Sequence, residues 1–149
     1  SFRQDTEWQF ITGGQWVSHP GGDGIDYMVN ICRGSSPIVE GLEDFPVCSE
    51  HYYLHIDPSI EVLATTRFPI VPYYHISNKP VDMPVAWTIF RGFGRVFYTS
   101  LGHHDDVFDK SPNAQILMER GMVWAGEGKA YAVEHGLTTE RFENTAKMY

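Results

Sequence analysis

The chain has 149 residues, 42% of them hydrophobic and 14% aromatic, and its 11 basic against 19 acidic side chains leave a formal charge of −8 with neutral histidines. That length suits one domain with one good core. The acidic balance and scattered basic residues speak against nucleic-acid or anionic-membrane partners, which need clustered positive charge. A small neutral or cationic molecule remains open as a partner.

Cys32 and Cys48 stand alone without a CxxC spacing, so neither a disulfide framework nor a thiolate zinc site is expected. Two buried free thiols in a reducing, cytoplasmic setting are the simplest expectation. No apolar run approaches the roughly 18 residues that cross a bilayer. The chain opens on Ser1 with no charged-then-apolar leader.

In chain order, Asp5 is placed to cap a short helix through Trp8, Phe10 and Ile11, which Gly13 and Gly14 stop. QWVSHPGGDG begins as a strand and ends in a glycine-rich loop. DYMVNIC, residues 26–32, alternates as a strand, and Pro37 opens an extended segment or turn. Phe45 and Pro46 read as a break before SEHYYLHI, residues 49–56, and EVLATT, residues 61–66, as a strand. Residues 67–82 carry three prolines and two adjacent tyrosines, which predicts an excursion over the surface. MPVAWTIF and RVFYTSL are two strands joined by a glycine hairpin turn, RGFG. Ser111 and Pro112 start the best helix, with Ile116, Leu117, Met118, Met122, Val123 and Trp124 near helical spacing, ending around Gly126 or Gly128. A last amphipathic helix is expected from about Thr139 to Met148, as a tail that could pack on a neighbour. The sum is a mixed α/β layer structure.

The strand ending in Leu101 delivers His103 and His104 just past Gly102, at a tip where ligands bind in open α/β sheets if the strand is central. The plainer reading is that both imidazoles cap the strand. His19 sits in HPGG, either a close-approach loop for a ligand or ordinary turn chemistry. SEHYYLHID places Glu50, His51, Tyr53, His55 and Asp57 within eight residues. As a strand it would put His51, Tyr53, His55 and Asp57 on one face and Glu50, Tyr52 and Leu54 on the other. Trp16, Tyr52, Tyr53 and Trp87 offer flat faces for stacking on a sugar, or simply core. There is no HExxH or other zinc-ligand spacing, no GxSxG and no phosphate-binding glycine loop. No cofactor is therefore expected, with a divalent metal assembled from distant strands left open.

GGQWVSHPGG, PIVEGLEDF, SEHYYLHIDP, EVLATT, MPVAW, GRVFYTSLGH and RGMVWA, in this order, resemble the ThuA-like, trehalose-utilisation family over roughly residues 5–126. The resemblance implies a flavodoxin-like, class I glutamine amidotransferase-like three-layer α/β sandwich. It also implies a setting in carbohydrate catabolism, beside oxidoreductases that make 3-keto-disaccharides. Matched by motif, its site residues would be His19, Glu50 and His103, with Trp87 and Arg95 as supports. The amidotransferase relatives' cysteine nucleophile has no counterpart, so glutamine hydrolysis is not implied. The family's first β-α units do not precede Ser1. The expectation is thus a partial ThuA-like domain over residues 1–128 and a helical tail over 129–149. An unpaired sheet edge would favour a homo-oligomer.

The function expected is general acid and base chemistry by His103, Glu50 and His19 on a disaccharide or its 3-keto derivative. Trp16, Tyr52, Trp87, Arg95 and His104 would bind the sugar. A non-catalytic sugar-binding or assembly module and a metal-assisted lyase or hydrolase are the two alternatives.

Overall fold

The computed structural model describes residues 2–74 and 76–142. Helix α1, Thr6–Thr12, opens with the Asp5 carboxylate accepting from the Trp8 amide and closes on Gly13 in the left-handed region. Strand β1, Gly14–Ser18, pairs antiparallel with β4, Tyr53–Ile56, as a two-stranded ribbon. The other five strands form one sheet in the order β3-β2-β5-β6-β7. They are β2, Ile25–Ile31; β3, Phe45–Ser49; β5, Glu61–Phe68; β6, Val81–Arg91; and β7, Gly94–Thr99. A 3-10 turn at Pro37–Val39 lies between β2 and β3. Helices α2, Asp106–Lys110, and α3, Pro112–Glu134, follow β7.

The α/β mixture is as the composition pattern predicts, and every strand pair among the described residues is antiparallel. β7 is an edge strand in the sheet order, so the histidine-bearing tip does not belong to a central strand. The centre belongs to β5 and β6. Residues 83–89 of β6 are all buried, and that unbroken run is the pattern of a strand covered on both faces.

Two apolar clusters account for that cover. One joins Val29, Ile31, Leu63 and Val85 to Ala114 and Leu117 of α3. The other joins Leu54 of the ribbon to Phe68, Met83 and Trp87, with Trp16, Tyr52, Tyr53 and Tyr98 packed against it. β5 and β6 contribute to both, which ties helix, sheet and ribbon into one body.

Several boundaries differ from the expectation, each for a packing reason. Phe45 and Pro46 lie inside β3: Phe45 is buried, and Pro46 is an exposed position on a strand at the sheet's other edge. SEHYYLHI is not one strand, because the chain leaves the five-stranded sheet at Ser49 and joins the ribbon at Tyr53. α3 continues past both expected glycine stops to Glu134, so the expected boundary at residue 128 falls inside a helix. Ser111 does not cap α3 with its side chain; its hydroxyl donates instead to the Pro46 carbonyl at 2.8 Å. Of the two free cysteines, Cys32 is half-buried and Cys48 is exposed rather than buried. Of the expected last helix, Glu140–Phe142 forms a 3-10 turn, and residues 143–149 lie outside the described residues. No helix among the described residues is long and apolar enough to cross a membrane.

Candidate functional site

Three chain reversals converge. The loop after β1 carries His19 and Asp23, the break between β3 and β4 carries Glu50 to Tyr52, and the segment after β7 carries His103 and His104. The last reversal depends on Gly102, which has a φ of 94°. A Cβ there would sit 2.7 Å from the Phe108 ring, so only glycine permits both the turn and the packing of α2 against it.

Glu50 is the centre. Its side chain is 11% exposed, with one oxygen 3.4 Å from His19 Nδ1 and the other 3.1 Å from His103 Nδ1. A carboxylate so far withdrawn from water needs partners, and two imidazoles supply them at ion-pair distance. The imidazoles remain reachable, with side chains 35% and 38% exposed respectively. His19 Nδ1 itself is buried and makes no hydrogen bond among the described residues. It faces the carboxylate at 3.4 Å without the alignment of a formed bond.

The backbone of the break is pinned by Tyr27, whose hydroxyl donates to the Glu50 carbonyl at 3.1 Å. Burial pushes the Tyr27 phenol up, so it stays a neutral donor. Next to Glu50, the Tyr52 phenol is also pushed up, by burial first and then by the hydrogen bond and charge of Glu50. Trp16 closes this side, 6.3 Å from the Tyr52 ring and 5.5 Å from the His19 ring, with the Arg3 guanidinium 3.9 Å over its face.

On the outer side, the His104 ring stands edge-on to His103 at 4.5 Å, and its Nε2 lies 2.8 Å from Asp23 Oδ2. That contact holds the Asp23 carboxyl below its ordinary value. One ligand atom from each of Asp23, His103 and His104 lies within 4.8 Å of the others, and all three residues are exposed. These three are the residues that could hold a metal ion.

Of the residues expected at a site, the structure brings together His19, Glu50, His103, His104, Trp16 and Tyr52. Two are placed elsewhere. Trp87 is fully buried, stacked 4.1 Å from Tyr98, and its indole nitrogen donates to the Thr12 carbonyl, so it presents no face to a ligand. Arg95 donates to the Trp124 carbonyl of α3 from the start of β7, the end opposite His103. His51 adjoins Glu50 in sequence but is 1% exposed, between Tyr27 and Phe68 and 3.3 Å from the Thr66 hydroxyl. Asp23 and Tyr27 are the additions that sequence reasoning missed. For Asp23 the available signal was its place in the glycine loop that carries His19. A cavity of about 300 Å³ lined by Tyr53, Phe68, Lys79 and Met83 shares no residue with the Glu50 cluster.

No curated protein and no solved structure matches the chain. The model of the family described as ThuA, trehalose utilisation, matches residues 1–125, and the chain belongs to that family.

Proposed function

We propose that this protein acts on a disaccharide or 3-keto-disaccharide in trehalose utilisation, by general acid and base chemistry at Glu50, His19 and His103. Membership of the trehalose-utilisation family supports a disaccharide as the substrate class. The observation that carries the chemistry is the withdrawn Glu50 carboxylate with one imidazole at each oxygen. The flavodoxin-like, amidotransferase-like architecture is part of the proposal and rests on the family match alone, since the described strands pair antiparallel.

A carbonyl acidifies the neighbouring C–H bond. A base positioned beside it takes that proton while the C–H electrons move onto the carbonyl oxygen as an enolate. Returning the proton to the departing glycosidic oxygen completes an elimination, and returning it to a neighbouring position completes an isomerisation. Glu50 is suited to hold the proton, and His19 and His103 are suited to exchange it with the carboxylate. Trp16 and Tyr52 offer the adjacent aromatic surface for the sugar ring.

A proton NMR time course with 3-keto-trehalose, and trehalose as control, tests the reading. New product signals should grow with the protein and grow at least 100-fold more slowly with Glu50→Gln. Ligand lines that broaden without product would replace this reading with a non-catalytic sugar-binding module. Equal turnover by the variant would remove Glu50 from the chemistry.

A further inference from the structure

We infer that Asp23, His103 and His104 form a binding site for one divalent transition-metal ion of the zinc class, at the open side of the Glu50 cluster. One nitrogen or carboxylate oxygen from each lies within 4.8 Å of the others, so the three donors already surround a common volume. Tetrahedral ligation at about 2.0–2.1 Å sets donors about 3.3 Å apart, and the small contraction needed falls on exposed side chains, where rotation costs little. His104 Nε2 and Asp23 Oδ2 are closer than that, at 2.8 Å. The cation would part that contact and take both atoms.

His103 is prepared for such a role. Its Nδ1 is held 3.1 Å from Glu50 Oε2, which leaves Nε2 as the nitrogen for an ion. A carboxylate behind one ring nitrogen fixes the orientation of a ligating histidine and makes it a better donor. Glu50 is itself largely buried, and its carbonyl is held by Tyr27, so this support does not drift. Two imidazoles with one carboxylate suit zinc, cobalt or nickel better than calcium or magnesium, which favour all-oxygen sites. Three protein ligands leave at least one position for water or for an oxygen of a substrate. No sequence spacing announces the site, because its ligands come from loops 80 residues apart in the chain.

The inference deepens the proposed reaction and depends on it only for what the ion would do there. With the outer nitrogen of His103 given to the ion, His103 would pass from the proton exchange proposed above to ligation, leaving Glu50 and His19 as the arm that carries the proton. The ion would polarise the sugar carbonyl whose neighbouring C–H is broken.

Titration calorimetry of the metal-free protein with Zn²⁺, and the visible spectrum with Co²⁺, test binding without any substrate. One equivalent should bind, with the intense absorption of four-coordinate cobalt. Asp23→Asn and His104→Asn should each weaken binding at least 10-fold, while His135→Asn at the end of α3 should leave it unchanged. Glu50→Gln should weaken it about 10- to 100-fold through His103. Absence of stoichiometric binding by the unaltered protein, or equal binding by Asp23→Asn and His104→Asn, would overturn the site. Metal binding without keto-sugar turnover would uphold the site and remove the reaction. Turnover indifferent to a chelator and to both variants, in a protein that binds no metal, would do the reverse.

Discussion

The two ends of β7 make a useful contrast. At its start, Arg95 is absorbed into packing: its Nη1 donates to the Trp124 carbonyl at 3.0 Å and its guanidinium lies 4.9 Å over the Trp124 ring. Past its other end, His103 stands 3.1 Å from the Glu50 carboxylate with its own side chain still 38% exposed. The same motif, GRVFYTSLGH, carries both. What separates them is what stands opposite, a long helix at one end and, at the other, the glycine-rich loop of His19 and Asp23 and the break that carries Glu50. A polar side chain against a helix is anchored; a polar side chain among loops is available.

The sharpest way to break that contrast is to remove each group in turn. His103→Ala should lower turnover of 3-keto-trehalose by about 10²- to 10⁴-fold, the usual worth of a placed acid or base, with a melting temperature close to that of the unaltered protein. Arg95→Met should do the opposite, keeping turnover while losing about 1–2 kcal/mol from the hydrogen bond and the cation over the indole. Steady-state rates and thermal melts on the two proteins decide it. If Arg95→Met loses turnover while keeping stability, the division between the two ends is wrong.

Glu50 and His51 repeat the contrast within one peptide unit. Glu50 is withdrawn but faces two partly exposed imidazoles, whereas His51 is sealed in the core and burial lowers its imidazole to about 4. The unfolded imidazole takes up a proton near pH 6.5 and the folded one only near 4. Neutral His51 therefore contributes fully above about pH 6.5, and that stability is lost as pH falls towards 4, by about 2–4 kcal/mol in all. Urea unfolding at pH 7.5 and pH 5 should show this decline, and His51→Gln, which keeps a polar group for Thr66 but has no proton to bind, should flatten it. An equal decline in the variant would assign the acid sensitivity to other groups.

These neighbours show where the sequence is legible. Asp5 and Gly13 announce α1, because a cap and a left-handed stop are local events. EVLATT and the MPVAWTIF–RVFYTSL hairpin are equally local and form close to the bounds read, although β6 starts two residues earlier, at Val81, and β7 ends at Thr99 rather than Leu101. SEHYYLHI is misread because its alternation is real, but the chain changes sheets in its middle, and only the tertiary fold decides that. The gathering of His19, Glu50 and His103 could be suspected from a family resemblance but not from spacing. Trp87 is a core residue that motif reasoning took for a sugar contact. Nothing in its one-letter neighbourhood distinguishes an indole satisfied by the Thr12 carbonyl from one offered to a ligand. Asp23 escaped notice because its partner, His104, is 81 residues away.

The smallest effect tests the anchored end alone. Gly121 and Gly128 both sit in α3 against β7, and both look like helix weakeners that alanine should improve by about 1 kcal/mol. A Cβ on Gly121 would lie 2.4 Å from the Phe97 ring, a rigid group packed against the core that cannot step aside. Gly121→Ala should therefore destabilise by about 1–3 kcal/mol despite the better helix propensity. A Cβ on Gly128 meets Arg95 Cδ at 2.4 Å, in the middle of a flexible side chain. That chain can rotate away, losing the bond to the Trp124 carbonyl while the helix gains, so Gly128→Ala should stay within about 0.5 kcal/mol of the unaltered protein. Denaturant midpoints for the two variants should differ in this direction. Equal losses would mean that Arg95 is held as rigidly as Phe97, making the anchored end of β7 stiffer than its hydrogen bond and ring contact require.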